Sequence, residues 1–110
     1  MEINTDKIDR ISKIIVDNIL EALEYDPKNR EFLLELTREA SRICIKMWEG
    51  EYNSCYEMET EFVEASKRVW EKMREARGDE VFFEFLGYTF ALQSFLHDVW
   101  SGLYPLTYII

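Results

Sequence analysis

Apolar residues recur at helical spacing through most of the chain, in three amphipathic segments followed by a fourth that is apolar nearly all round. Apolar positions three and four residues apart lie on one face of an α-helix. The three stripes are, in chain order, Ile8, Ile11, Ile15, Ile19, Ala22 and Leu23; Phe32, Leu33, Leu36, Ala40, Ile43 and Met47; and Met58, Phe62, Ala65, Val69 and Met73. This pattern predicts an all-α fold.

Residues that start and stop helices divide the chain between these stripes. An Asp-Pro pair at positions 26 and 27 is typical of an N-cap followed by the first helical position, so a second helix opens there. Gly50 ends it. Ser54 and Glu57 have the spacing of a capping box, which places the start of a third helix at Ser54. That helix ends near Gly78.

The fourth predicted helix runs from about Glu80 to Trp100. Its polar side is a narrow strip of Glu84, Gly87, Ala91, Ser94 and Asp98. A helix that is apolar on nearly every side belongs at the centre of a soluble protein or in a contact between subunits. We therefore expect one domain over residues 1–110, a four-helix antiparallel bundle in which three amphipathic helices can surround the fourth.

An apolar tail follows this helix from Leu103 to Ile110. A four-helix monomer has little surface left to cover such a tail, and large exposed apolar patches mark contacts with a partner. We expect a homo-oligomer with the contact residues Phe95, Val99, Trp100, Leu103, Tyr104, Leu106, Tyr108 and Ile109. The longest charge-free apolar runs have 12 residues, and a membrane-spanning helix needs ~20, so no membrane span is expected.

The charge balance limits the classes of partner. With 22 acidic against 13 basic residues, the net charge is −9. This opposes loose adsorption to phosphate backbones and anionic membranes, so any nucleic-acid site would be a local basic patch. The N-terminus has no charged and apolar stretch typical of a secretory signal, which predicts a cytoplasmic location.

A basic stripe lies on the second predicted helix. Arg38, Arg42 and Lys46 are four residues apart and share one face, next to Glu35 and Glu39. Such a stripe is either a ridge that contacts nucleic-acid phosphates or a face of intrahelical ion pairs. The spacing allows both interpretations.

An acidic face opens the third predicted helix. Glu57, Glu61 and Glu64 lie on one side of it, and Asp98 is the most plausible further carboxylate from another helix. Carboxylates arranged in this way can hold Mg²⁺ or Mn²⁺ and support a metal-dependent phosphohydrolase. The alternative is a solvated acidic face at a helix N-terminus, with no cofactor.

Two cysteines and one histidine complete the candidate chemistry. In a hairpin around Gly50, Cys44 and Cys55 could face each other as a disulfide, although two reduced cysteines packed as small apolar groups are expected in the cytoplasm. Two cysteines without a supporting histidine predict no zinc site. His97, the sole histidine, is expected to be structural.

Three stretches within residues 30–100 resemble, in order, the N-terminal half of the translin family: REFLLELTREASRICIKMWEGEY, EFVEASKRVWEKM and FALQSFLHDVW. The resemblance implies an all-α bundle that assembles into a hollow multimer and binds single-stranded RNA or DNA. One branch of that family cleaves RNA with metal-binding acids. The glutamates of that branch's motif fall on Ser94 and His97, so the resemblance implies no such active site here.

Together these observations predict a small cytoplasmic helical protein that self-associates, and the resemblance to the translin family implies that it binds single-stranded RNA or DNA. The alternative is a metal-dependent phosphohydrolase that uses Glu57, Glu61, Glu64 and Asp98. Whether the protein is an enzyme stays open at this point.

Overall fold

The protein, described by a computed structural model over residues 5–104, folds into four α-helices. The helices are α1 (Thr5–Asn18), α2 (Arg30–Trp48), α3 (Cys55–Arg77) and α4 (Phe82–Trp100). Short 3-10 turns at Leu20–Ala22, Pro27–Asn29 and Asp79–Val81 lie in the connections, and the described part of the chain contains no strand. The prediction of an all-α bundle is confirmed.

The predicted caps account for the start of α3 and for the turn before α2. Ser54 accepts a hydrogen bond from the Glu57 amide at 3.2 Å at the start of α3. The Asp26 side chain accepts one from the Lys28 amide at 3.1 Å, but it caps the 3-10 turn Pro27–Asn29, and α2 itself begins at Arg30 with no side-chain cap. Each bond satisfies an amide that the first turn leaves without a partner. Gly78, with φ +84°, ends α3.

The end of α1 differs from the expectation. The sequence predicts that the first helix runs to about Tyr25, but α1 ends at Asn18 and the chain continues into the 3-10 turn Leu20–Ala22. Ile19 has φ −122°, outside the helical region. The tighter turn carries Leu20 into the core, where it is fully buried.

A row of ion pairs, here called the ladder, joins α2 to α3. As residue numbers rise along α2 they fall along α3, so the two helices are antiparallel. The pairs are Glu31 with Arg77 at 3.4 Å, Glu35 with Lys72 at 2.5 Å, Glu39 with Arg68 at 4.0 Å, and Lys46 with Glu61.

The helix at the centre of the bundle is α2, which packs against α1, α3 and α4. The fourth helix is therefore not at the centre, which was one of the two positions that its apolar sequence allowed. Long charged side chains such as Arg38 and Lys46 allow α2 to be central, since their heads reach solvent while the backbone stays covered. By contrast, α4 buries one face and leaves the opposite face in solvent.

Polar contacts attach α4 to α2 and to the segment before it. The Glu84 carboxylate accepts hydrogen bonds from the Asp26 amide at 2.6 Å and from Asn29 Nδ2 at 2.8 Å. One turn further, the buried Tyr88 hydroxyl is hydrogen-bonded to Thr37. Burial raises the pKa of Tyr88 to about 12. Across residues 5–104, every buried side-chain nitrogen and oxygen has a hydrogen-bond partner.

Hydropathy along the helices bears on the expected absence of a membrane span. Within the described residues, none of the helices combines the length and the apolar character that crossing a bilayer requires.

Candidate functional site

The exposed side of α4 carries two large aromatic residues. Phe83 is 80% exposed and Phe90 is 61% exposed, while Gly87 and Ser94 between and beyond them are also exposed. At 3.6 residues per turn these four positions fall within a sector of about 60°. We call Phe83, Gly87, Phe90 and Ser94 the outer face of α4.

The outer face is free of charge. Between Glu84 and His97 the chain has no Asp, Glu, Lys, Arg or His, although 32% of all residues are charged. Solvent-facing sides of helices in globular proteins are normally charged or polar. An apolar, uncharged, exposed helix face is instead characteristic of a surface that contacts another macromolecule.

An apolar groove continues the outer face toward α3. Its volume is about 260 Å³, and among the described residues that line it Lys67 is the only charged one. Trp70 is one of the residues that line it, with the Phe82 ring 5.2 Å away edge-on. Small-molecule sites usually exceed ~300 Å³, so the size suits an inserted protein side chain better than a free ligand.

Two residues of the predicted contact surface lie inside the chain's own core. Phe95 and Val99 are each 8% exposed and pack in the cluster that holds the other helices. The sequence analysis assigned them to a subunit contact because it took the inner face of α4 for an outer face. They lie on the face of α4 that turns toward α2, roughly opposite Phe83 and Phe90.

The other predicted contact residues lie at or beyond the end of α4. Trp100 and Leu103 are exposed, and Tyr104 is half-buried with its ring 5.2 Å from the ring of Phe95. Leu106, Tyr108 and Ile109 lie outside the described residues. Trp100 and Leu103 remain available for a contact.

A cleft of about 810 Å³ between α2 and α3 brings the two other predicted sites together. Arg42 and Lys46 of the basic stripe line it, opposite the acidic residues Glu57, Glu61 and Glu64. The sequence interpretation treated these as separate sites. They face each other because α2 and α3 are antiparallel.

Each residue of the basic stripe is paired with a carboxylate. Arg38 contacts Asp9 of α1 at 2.7 Å, Arg42 contacts Glu39 at 2.9 Å, and Lys46 contacts Glu61. All three residues form ion pairs, but only the Arg42–Glu39 pair lies within α2, whereas Arg38 and Lys46 pair with carboxylates of α1 and α3. Phosphate contacts by Arg38, Arg42 and Lys46 stay a prediction.

The predicted carboxylate site is not assembled. Glu61 accepts hydrogen bonds from Lys46 and from Tyr52, and Asp98 is exposed on α4 and does not line the cleft. Burial, together with Glu61, raises the pKa of the Tyr52 phenol. Over residues 5–104, Glu57, Glu61, Glu64 and Asp98 form no group with ligand atoms at metal-binding separation.

A different cluster does form, at the opposite flank of α3. The ligand atoms of Cys55, Glu59 and His97 all lie within 4.8 Å of one another. The Cys55 thiol donates to the Glu59 carboxylate at 3.4 Å, and the same carboxylate contacts His97 Nε2. Partial burial raises the pKa of the Cys55 thiol, and the neighbouring Glu59 adds to the rise.

Sequence reasoning missed this cluster and left His97 without a partner. The spacing of Cys55 and Glu59, one helical turn apart, is visible in the sequence. The contribution of His97 depends on the register of α4 against α3, which no local pattern encodes.

The other cysteine, Cys44, is fully buried, and burial raises its pKa to about 12. Both cysteines are free in this structure.

Comparison with known proteins gives no relative for this chain. It matches no protein-family model, no curated protein and no solved structure. The resemblance of residues 30–100 to the translin family therefore stays a prediction, as does the nucleic-acid binding that it implies. The functional argument rests on the surface and the clusters described above.

Proposed function

We propose that the protein is a self-associating helical module, and that the outer face of α4 is the surface through which two copies bind. The observation that carries the proposal is the pair of exposed aromatic residues, Phe83 and Phe90, on a helix face without charge. Burying such a face gains roughly 25 cal/mol per Å² of apolar surface removed from water.

A second copy fits this face because its large and small residues are arranged for two-fold symmetry. In a two-fold contact, residue i of one copy faces residue j of the other, and j faces i. If two α4 helices pair antiparallel about a point between Tyr88 and Thr89, Phe83 faces Ser94 of the second copy. Gly87 then faces Phe90. Each phenylalanine meets a small residue, which is how packed helix pairs avoid voids and overlap.

The charge distribution is consistent with the same contact. Two copies of a protein with net charge −9 repel each other on most of their surfaces. The outer face places no like charges opposite each other, so pairing there avoids the direct repulsion. The remaining long-range repulsion is screened by salt. Association should therefore tighten modestly as the salt concentration rises from low to physiological.

The direct test is the solution mass by sedimentation equilibrium over a range of protein concentrations, for the unmodified protein and Phe90→Asp. We expect a dimer that Phe90→Asp converts to a monomer, with the Kd raised at least ~100-fold because an unpaired charge would be buried. The fold should survive, since Phe90 is largely exposed within the chain.

The matched control is Tyr56→Asp, which puts the same charge on another aromatic residue, 76% exposed, in the first turn of α3. This variant should remain a dimer. A monomeric unmodified protein would contradict self-association, and dissociation by Tyr56→Asp to the same degree would contradict the assignment to the outer face.

Exchanging the large and small residues tests the register. Gly87→Phe should weaken the dimer by overlap with Phe90, and Phe90→Ala should weaken it by loss of contact, each about tenfold or more. The double variant restores a large residue opposite a small one and should recover most of the affinity. A Cβ at Gly87 meets nothing within 4 Å in the chain itself, so the backbone of the monomer accepts a side chain at this position. Additive weakening in the double variant would rule out this register.

A further inference from the structure

We infer that Cys55, Glu59 and His97 form a binding site for one transition-metal ion, with Zn²⁺ as the best match. All three ligands come from a single chain, so the inference does not depend on self-association. It also differs from the carboxylate site that the sequence predicts, in its residues, its position on α3 and the class of metal.

The fold assembles the site from the first turn of α3 and the last turn of α4. Cys55 is the first residue of α3, held in place by the Ser54 cap. Glu59 lies one turn later, on the same side of the helix. Because α3 and α4 are antiparallel, the C-terminal turn of α4 lies beside this turn and places the His97 ring against Glu59.

The separation of Cys55 and Glu59 matches the one that a tetrahedral zinc site requires. Ligand bonds of about 2.0–2.3 Å place neighbouring ligand atoms of a tetrahedron roughly 3.3–3.8 Å apart. Cys55 Sγ and Glu59 Oε1 are 3.4 Å apart, and the three ligand atoms all lie within 4.8 Å of one another. His97 Nε2 is in direct contact with Glu59 Oε1, closer than two zinc ligands lie, so an ion enters only when these two side chains rotate apart.

The donor set selects the metal. A thiolate sulfur, an imidazole nitrogen and a carboxylate oxygen suit zinc and related transition ions, whereas Mg²⁺ and Ca²⁺ take oxygen ligands alone. Cys55 and Glu59 are half-buried and His97 is exposed, so an ion can enter from solvent. Three protein ligands leave a fourth position for water or for a group from another molecule. Zinc sites with such an open position are the ones that do chemistry.

The same contacts could instead be a structural trio, in which Glu59 bridges the Cys55 thiol and the His97 ring without an ion. These alternatives differ in whether the sulfur acts as a ligand. Co²⁺ distinguishes them, since it substitutes for Zn²⁺ and shows a sulfur-to-metal charge-transfer absorption only when a thiolate binds it.

The experiment is a titration of chelator-treated, reduced protein with Co²⁺, followed by displacement with Zn²⁺. We expect the charge-transfer absorption to saturate at one Co²⁺ per chain and to vanish on addition of Zn²⁺. Cys55→Ser should abolish the absorption, and His97→Gln and Glu59→Gln should each weaken binding at least about tenfold.

Two matched controls keep the test specific. Cys44→Ser removes the buried cysteine, and Glu57→Gln removes an exposed acid of the same turn as Cys55. Both variants should bind Co²⁺ as the unmodified protein does, and circular dichroism should confirm that each ligand variant keeps its helix content. Saturation without the charge-transfer absorption would overturn the inference, as would an equal loss of binding in Glu57→Gln and Glu59→Gln.

Discussion

The two helices α2 and α4 are both rich in apolar residues, but the sides that they turn away from the core differ in charge. Every charged residue of the α2 basic stripe is paired with a carboxylate, and the acids of α2 join the ladder to α3. On α4 the corresponding outward side consists of Phe83, Gly87, Phe90 and Ser94, which carry no charge and so cannot form ion pairs.

This difference shows that apolar content alone does not decide which helix is central. The helix α2 is central because it packs against three other helices. Its long charged side chains extend between those helices and keep their charged groups in solvent. The more apolar α4 stays at the periphery, since only one of its faces is needed to close the core. Its surplus apolar face is the basis for the proposed contact with a second copy.

The largest expected effect comes from truncating one apolar residue on each helix. In the Phe90→Asp background, where the proposed contact cannot form, Leu36→Ala on α2 should lower the free energy of unfolding by about 2–5 kcal/mol. Leu36 is fully buried. Phe83→Ala on the outer face removes a larger side chain but should change the free energy of unfolding by less than ~0.5 kcal/mol. Urea unfolding measures both, and similar losses would mean that the outer face is packed within the chain.

A smaller effect concerns the hydrogen bond that joins the two helices. Tyr88→Phe removes the hydroxyl bound to Thr37 and should lower the free energy of unfolding by about 1 kcal/mol near neutral pH. Tyr88 has a folded-state pKa of about 12, against ~10 in the unfolded chain. Its contribution is therefore complete below pH ~10 and is lost as the pH rises toward 12, where the unfolded state gives up its proton first.

Urea midpoints at several pH values between about 10 and 12 measure how the free energy of unfolding falls as the pH rises. This fall should be steeper in the unmodified protein than in Tyr88→Phe. The raised pKa of Tyr52 keeps some decline in the variant. Tyr56→Phe, at an exposed position, is the control and should leave the pH profile unchanged. Parallel profiles for the unmodified protein and Tyr88→Phe would show that Tyr88 does not carry the alkaline instability.

The smallest effect is a gain in stability. Gly87→Ala should raise the free energy of unfolding by about 0.5–1 kcal/mol in the Phe90→Asp background, because alanine favours the helix and glycine does not. Gly102→Ala should do the opposite, because Gly102 has φ +77° and an alanine there is strained. Thermal unfolding compares the two variants. A loss of stability in Gly87→Ala would mean that the outer face has no room for a methyl group.

Local signals in the sequence predicted the elements well. The caps at Asp26 and Ser54 and the stop at Gly78 act through bonds and backbone angles within a few residues, so a local pattern contains them. The early end of α1 was missed, because it depends on the burial of Leu20 in a core that forms only when the other helices are present.

The candidate sites were predicted less well, since they depend on how helices are set against each other. Arg42, Lys46 and Glu61 were each identified from sequence, but their shared cleft follows from the register of α2 and α3. His97 joins Cys55 and Glu59 for the same reason, through the register of α3 and α4. Phe95 was placed on the wrong side because the narrow polar strip of α4 is only a weak indication of which face is the outer one.

The hydrogen bonds of Glu84 and Tyr88 supply the information that the apolar pattern of α4 lacks. Apolar packing alone would accept α4 at several rotations about its own axis, including rotations that bury Phe83 and Phe90. Glu84 reaches Asp26 and Asn29, and Tyr88 reaches Thr37, at a single rotation. Satisfied polar contacts of this kind select one arrangement among many of similar apolar energy. A few polar atoms thus keep two phenylalanines in water, and α4 presents a surface that the hydrophobic effect by itself would have hidden.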